Sequence, residues 1–270
     1  MRPHKYLLFL VLAGLLLAGC GRVPLTDRQQ LLLISDADLE QQAALQYTDL
    51  LSKSKVVPVT AVDEKSVVRV GSRLAKAVDE FVREKGISAN GTGYKWEFTL
   101  IDDPQTANAF CMPGGKIAVY SGLLPVTKDD TGLAVVLSHE IAHALARHSN
   151  ERLSQTLLVQ YGGAQLSEAI KNNPEQTQQN IMNAFGIGAN VGILLPYSRA
   201  QESEADRIGL ALMAYAGYDP HQALDFWTRM AQLGGSGMPE ILSTHPLDET
   251  RIKDIKAEIP EAMKYYRPRT

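Results

Sequence analysis

Two histidines four residues apart, with a glutamate directly after the first, stand at His139-Glu140-Ile141-Ala142-His143. On a helix, positions four apart share a face, so both imidazoles can reach one cation. Glu140 is offset by about 100° and can reach a water beside that cation without ligating it. This suits metal-assisted hydrolysis, because zinc with three protein ligands keeps a fourth position for water and lowers its pKa to about 7. Glu140 can then accept the proton as the water attacks a peptide carbonyl and pass it to the leaving amine. The bland alternative is a pair of surface histidines in i,i+4 contact.

Two imidazoles do not close a zinc site, so a third ligand must come from elsewhere in the chain. A metzincin would continue with glycine and histidine where Ala146 and Ser149 stand. A thermolysin-like spacing would need a glutamate where Gly162-Gly163 stand. His148 lies about 140° round the helix from His143, cannot share its ion, and reads as a C-terminal residue favourable to the helix dipole. The remaining candidates are Glu202 and Asp206, one turn apart on one helical face. Glu202 could ligate, and Asp206 could orient a ligand histidine through its free N–H. Glu204 points elsewhere and reads as solvated or salt-bridged. The plain alternative for the pair is a charged helix face.

The elements that must position these residues are legible from periodicity. A helix capped by Ser35 or Asp36 runs to about Lys53, and a second runs from about Asp63 to Lys85, ended by Gly86. Asn90-Gly91-Thr92 reads as a turn, although it matches a glycosylation sequon. Alternation over Tyr94–Leu100 predicts a strand with one wet face, and Asn108–Phe110 and Lys116–Tyr120 predict two more around Gly114-Gly115. A long helix is expected from Thr127, with Thr127 and Asp130 as its capping box, through His148. Residues 150–195 read as loosely helical, and a further helix runs from Ser198 to Ala216. Pro220 and Pro246 each sit near the start of another. The expected fold is a helix-rich, zincin-like α+β domain with a small sheet, one domain over residues 36–270.

The first 19 residues read as a signal peptide: a basic start and then 14 apolar residues from Tyr6 to Gly19. As a helix these would span about 21 Å, short of the ~30 Å hydrocarbon core. Leu17-Ala18-Gly19-Cys20 resembles a bacterial lipobox, by which Cys20 would carry lipid and residues 20–35 would form a lipidated tether. An ordinary signal peptide ending near a cysteine is the alternative. Gly21 after the cysteine, by enterobacterial rules, favours the outer membrane over the inner one. With Cys20 acylated, Cys111 has no partner and reads as a buried core thiol. Removing residues 1–19, which hold Arg2 and Lys5 and no acid, takes the formal charge from −3 to −5. A mildly acidic body gives no reason to expect nucleic acid. With 45% hydrophobic and 21% charged residues, neither a disordered chain nor a polytopic membrane protein is indicated.

The chain resembles the membrane-associated zinc peptidase family that includes HtpX, BepA and the CaaX prenyl protease. Its signatures are His-Glu-x-x-His on one helix and Glu-x-x-x-Asp on a later one, here His139 to His143 and Glu202 to Asp206. Tyr197-Ser198-Arg199, Glu202, Glu204-Ala205-Asp206 and Gly209 are similar to the BepA and mitochondrial Oma-type branch. So are Asn108-Ala109-Phe110, Pro113-Gly114-Gly115, Tyr120-Ser121-Gly122-Leu123, and His245-Pro246 with Arg251. The likeness covers about residues 35–260.

The resemblance implies one zinc per chain, held by His139, His143 and Glu202. It implies a substrate laid as an extended strand beside Asn108–Phe110 or Lys116–Tyr120. His245 is either a turn residue before a proline-started helix or, as in some relatives, a histidine that approaches zinc and keeps the enzyme latent. The implied activity is that of a bacterial envelope endopeptidase, acting on unfolded or misfolded envelope proteins and anchored in the membrane by its N-terminal lipid. A holdase or assembly factor with little catalysis is the alternative. The chain departs from the family in having no transmembrane helix after its signal and no helical-repeat domain before Thr270, so delivery of substrate by such repeats is not expected.

Overall fold

Gly114 and Gly115 have φ of 82° and 84°, a region that side chains with a Cβ rarely adopt. They turn the chain between β4 (Ala109–Met112) and β5 (Lys116–Tyr120), which pair antiparallel. On the other side β5 pairs parallel with β3 (Glu97–Ile101), giving the strand order β3-β5-β4. The computed structural model describes residues 20–58, 60–86, 93–161, 198–232, 240–246 and 249–268. The signal segment 1–19, the turn at 90–92 and the glycine-rich stretch 184–195 lie outside them.

Alternate side chains of the sheet enter two cores. Cys111, Ile117 and Val119 join Val70, Leu74 and Phe81 of α2 (Val62–Glu84). Phe110, Met112 and Ala118 join Leu39, Ala43 and Tyr47 of α1 (Asp36–Lys53), which Ser35 caps by accepting from Asp38 N. Both faces are covered at the end of β3, while Lys95 and Glu97 stay exposed, so the wet face expected of the first strand is kept at its start and lost at Thr99. Thr99 is buried and its hydroxyl accepts from Tyr47, while Leu100 N donates to Glu64 Oε2 of α2 at 2.8 Å. The strand also starts at Glu97 rather than Tyr94.

The helix expected from Thr127 to His148 is three pieces. Thr127 ends α3 (Leu124–Thr127), Lys128 takes φ 68°, and Asp129 caps α4 (Asp130–Leu145) by accepting from Thr131 N and Gly132 N. The Thr127–Asp130 capping box is therefore not formed. After Leu145 the chain turns through Arg147 at φ 55°, and His148 opens α5 (His148–Tyr161).

Every residue of α4 from Gly132 to Leu145 is buried. A helix apolar nearly all round belongs inside a protein. Here α4 packs against α2, β4, α6 (Arg199–Tyr215) and α7 (Gln222–Gln232). Its contact with α6 is the closest. A Cβ on Gly209 of α6 would meet His139 N at 3.1 Å and Cα at 3.2 Å. That near-contact of backbones brings the first turn of α6, capped by Ser198 with Gln201 as a capping box, beside the histidine helix. α8 (Ile241–Thr244) joins the chain before β4 through Ile241 N to the Ala107 carbonyl, and α9 (Glu249–Ala262) packs on α6 and α7.

Residues 20–35, expected as a tether, carry an antiparallel ribbon of β1 (Cys20–Arg22) and β2 (Gln29–Leu31), joined by a turn with Leu25 and Asp27 at positive φ. Leu33 N donates to Ser154 of α5, and Arg28 reaches Glu151 of the same helix. Among the described residues, no helix is long and apolar enough to cross a membrane. The architecture is a helix-rich α+β domain with small sheets.

Because backbone, not a flexible side chain, faces Gly209, Gly209→Val should force α4 and α6 apart. Overpacking of this kind costs on the order of 1–3 kcal/mol. Urea denaturation followed by circular dichroism should show that loss, and an unchanged midpoint would refute the close crossing.

Candidate metal centre

His139 and His143 lie mid-helix on α4, Glu202 in the first turn of α6, and His245 directly after α8. One ligand atom from each lies within 4.8 Å of all the others, and each residue is only 1–2% exposed. His139 Nε2 and His143 Nε2 face each other at 3.1 Å. Glu202 Oε2 is 3.5 Å from the first and Oε1 is 3.4 Å from the second. His245 Nδ1 is 3.3 Å from His139 Nε2 and 3.0 Å from Glu202 Oε1. Zinc bonds of 2.0–2.1 Å in a tetrahedron require ligand atoms about 3.4 Å apart, and these spacings match.

The electrostatics also fit a cation. Two imidazole lone pairs aimed at one another repel unless a proton or a metal lies between them. Burial works against a charge on His139, yet Asp206 and Glu202 outweigh it and raise its pKa to about 9. Burial would likewise raise Glu202, but His245 and Arg251 hold it well below the usual carboxylate range. Three buried carboxylates, Glu140, Glu202 and Asp206, meet one buried guanidinium, Arg251. The buried negative charge that Arg251 does not offset is what a proton on His139 or a bound cation would balance, and buried charge is costly unless balanced.

Outer contacts hold the ligands in place. Asp206 Oδ1 stands 2.9 Å from His139 Nδ1, the nitrogen facing away from the site. Arg251 forks onto Asp206, with Nε to Oδ2 at 2.7 Å and Nη2 to Oδ1 at 3.0 Å. Its Nη1 is 2.7 Å from Glu202 Oε2 and 3.2 Å from the Pro246 carbonyl, while the guanidinium lies 4.1 Å above the Trp227 ring. One arginine thus ties Glu202 and Asp206 of α6 to the segment carrying His245. Sequence reasoning assigns Arg251 no contact; its one signal is its place shortly after His245-Pro246.

His148 is corrected more fully. It opens α5 instead of closing α4, it is fully buried, and its Nδ1 is 2.9 Å from His143 Nδ1. On its far side Nε2 is 3.0 Å from Glu204 Oε2. Glu204 is salt-bridged, one of the two readings its sequence position allowed, but it is also buried. Burial would raise its pKa, yet hydrogen bonds from His148, Thr26 and Arg28 hold it below the usual range. The left-handed turn at Arg147 swings His148 back toward His143, and nothing in the helical period signals such a turn.

Glu140 lies on α4 and is 2% exposed, and burial raises its carboxyl pKa against the pull of His245 and His139. Its Oε1 is 3.4 Å from His245 Nε2. His245 therefore presents one ring nitrogen to the ligand cluster and the other to Glu140. Of the two substrate-strand candidates, Lys116–Tyr120 is the middle strand, paired on both sides, and cannot accept another. Ala109 and Phe110 lie on the edge strand β4, which packs beside α4, and Asn108 directly precedes it. Cys111 is a buried free thiol, its pKa pushed well up by burial.

A helix-rich α+β domain with this donor set is that of a zincin-like metallopeptidase. The model of peptidase family M48 matches residues 69–259, and the chain belongs to that family, whose members use zinc. Over 171 residues the chain is 43% identical to the mitochondrial metalloendopeptidase OMA1 of Schizosaccharomyces pombe, covering 62% of this chain and 48% of that protein. It is 31% identical to the Bos taurus metalloendopeptidase OMA1 over 98% of this chain and 52% of that protein. It is 31% identical to the beta-barrel assembly-enhancing protease of Yersinia pestis over 63% of this chain and 35% of that one. The chain spans about half the length, or less, of these relatives.

Metal analysis of the purified protein should find about one zinc per chain. Glu202→Ala should lower zinc affinity at least ~10-fold, since it removes the one anionic donor of the cluster and leaves three neutral imidazoles. Equal zinc content in both proteins under chelator competition would remove Glu202 from the ligand set.

Proposed function

We propose that this chain is a zinc-dependent endopeptidase that hydrolyses peptide bonds in unfolded or damaged proteins of the cell envelope. The observation that carries the reading is the convergence of His139, His143 and Glu202 on one point, with the buried carboxylate of Glu140 on the next residue of the same helix. Zinc held by these three side chains would polarise the scissile carbonyl and acidify the attacking water. Glu140 accepts the proton of that water, a task favoured by its raised pKa, and returns it to the leaving amine. Asp206, fixed by Arg251, orients His139. The edge strand β4 is where an extended substrate would pair, with Asn108–Phe110 leading into the site. A shallow depression beside His143 is walled by Leu39, Tyr94 and Pro113.

In this reading the protein rests latent. His245 Nδ1 takes the vertex that water needs, and its Nε2 faces the base. Activation requires the segment after α8 to withdraw. The same closed donor set favours a second reading, a holdase or assembly factor whose zinc is structural, because four-ligand zinc sites are typically structural. For location we propose a bacterial envelope lipoprotein, acylated at Cys20 and facing the periplasm from the outer membrane. The lipobox-like Leu17-Ala18-Gly19-Cys20 supports this, as does the bacterial assembly-enhancing relative.

Casein cleavage separates the readings. His245→Ala should cleave faster than wild type. Adding Glu140→Gln to it should leave zinc content unchanged and reduce the rate by about 10²–10⁴-fold. Equal cleavage with and without Glu140 would sink its role as base, and no cleavage even by His245→Ala would favour the binder.

A further inference from the structure

We infer that His148 and Glu204, clamped by Thr26 and Arg28 of the N-terminal ribbon, hold His143 in the tautomer that can bind metal, so that the ribbon is a working part of the metal site. The inference rests on the reading that His143 ligates through Nε2, the nitrogen facing His139 and Glu202. A neutral imidazole has one ring proton, and a nitrogen that bonds a metal cannot carry it. The proton of His143 must therefore sit on Nδ1.

That nitrogen is buried and 2.9 Å from His148 Nδ1. A single proton occupies the gap between two ring nitrogens, so which ring donates is decided at the far end of the chain. There His148 Nε2 is 3.0 Å from Glu204 Oε2. A carboxylate only accepts, so the proton of His148 is placed on Nε2 and its Nδ1 becomes the acceptor. His143 must then donate, which leaves its Nε2 lone pair free on the metal side. Other donors keep Glu204 in its accepting role: Thr26 donates its hydroxyl to Oε1, and Arg28 Nε donates to Oε2 at 2.8 Å. Arg28 is held in turn by a fork onto Glu151, with Nη1 to Oε1 at 2.7 Å and Nη2 to Oε2 at 2.8 Å. Gln201 Nε2 donates to the same carboxylate at 2.8 Å. Donation thus runs from His143 through His148 to Glu204 and meets there the donation that comes the other way from Thr26 and Arg28 of the ribbon.

Outer partners of ligating histidines commonly change metal affinity by about 10–100-fold. His148→Leu, which leaves the His143 N–H without an acceptor, should weaken zinc binding by that factor when the full chain competes with a chromophoric chelator. It should also shift the visible bands of the cobalt(II) form. His148→Gln, which can accept from one side and donate to the other, should recover most of the affinity. Glu204→Leu should weaken binding too, and combining it with His148→Leu should add little. Thermal unfolding of the metal-free proteins shows whether each variant folds. Where His148→Leu does not fold, Arg28→Met, which touches the series only at its outer end, serves in its place and should weaken zinc binding at least 3-fold. Wild-type affinity and an unchanged cobalt spectrum in a folded His148→Leu or Arg28→Met would overturn the inference while zinc binding by wild type stands. Failure of the wild type itself to bind zinc or cobalt would overturn the metal reading beneath it.

Discussion

Two imidazole nitrogens 3.1 Å apart in a dry interior, with a carboxylate and a third imidazole closing round them, form an arrangement that repels itself unless a positive charge lies inside. The fold is organised around this constraint. The histidine helix is buried along nearly its whole length, which excludes the water that would otherwise screen the cluster. The helix bearing Glu202 comes close because residue 209 is glycine and its backbone neighbour is His139. A longer side chain there would move a ligand, not merely a methyl group.

The cluster is steadied from behind by three sets of contacts, two of which share Arg251. His139 leans on Asp206, which Arg251 grips with two nitrogens. Glu202 is held by the third nitrogen of the same guanidinium. His143 leans on His148 and, through it, on Glu204. The single helix α6 supplies Glu202, Glu204 and Asp206, yet residue 204 faces away from the other two. It serves a different histidine because α5 starts on that side. One short acidic stretch thus supports both histidines of α4, one directly through Asp206 and one through His148.

Much of this was legible in the residues. The i,i+4 spacing of His139 and His143 and of Glu202 and Asp206 needs only a helix to become geometry, and periodicity supplied the helices. What escaped depends on how elements turn and cross. The break at Ala146–Arg147 needs a non-glycine residue at positive φ, which no local pattern announces, so His148 reads as the end of one helix instead of the start of the next. Strands β1 and β2 are three residues each, too short for alternation to show, and what fixes the ribbon is Arg28 meeting acids far along the chain. The wet face expected on β3 stops after Glu97 because Tyr47 of α1 covers Thr99, and such coverage of a sheet by a helix is a property of the assembled layers.

Arg28 and Glu204 are separated by 176 positions, and Thr26 and Glu204 by 178. A chain made from its N-terminus cannot join them until residue 204 has left the ribosome, and contacts so distant in sequence close late in folding as well. His245 and Arg251 arrive later still. A growing polypeptide therefore carries the paired histidines long before it can hold them as the folded protein does.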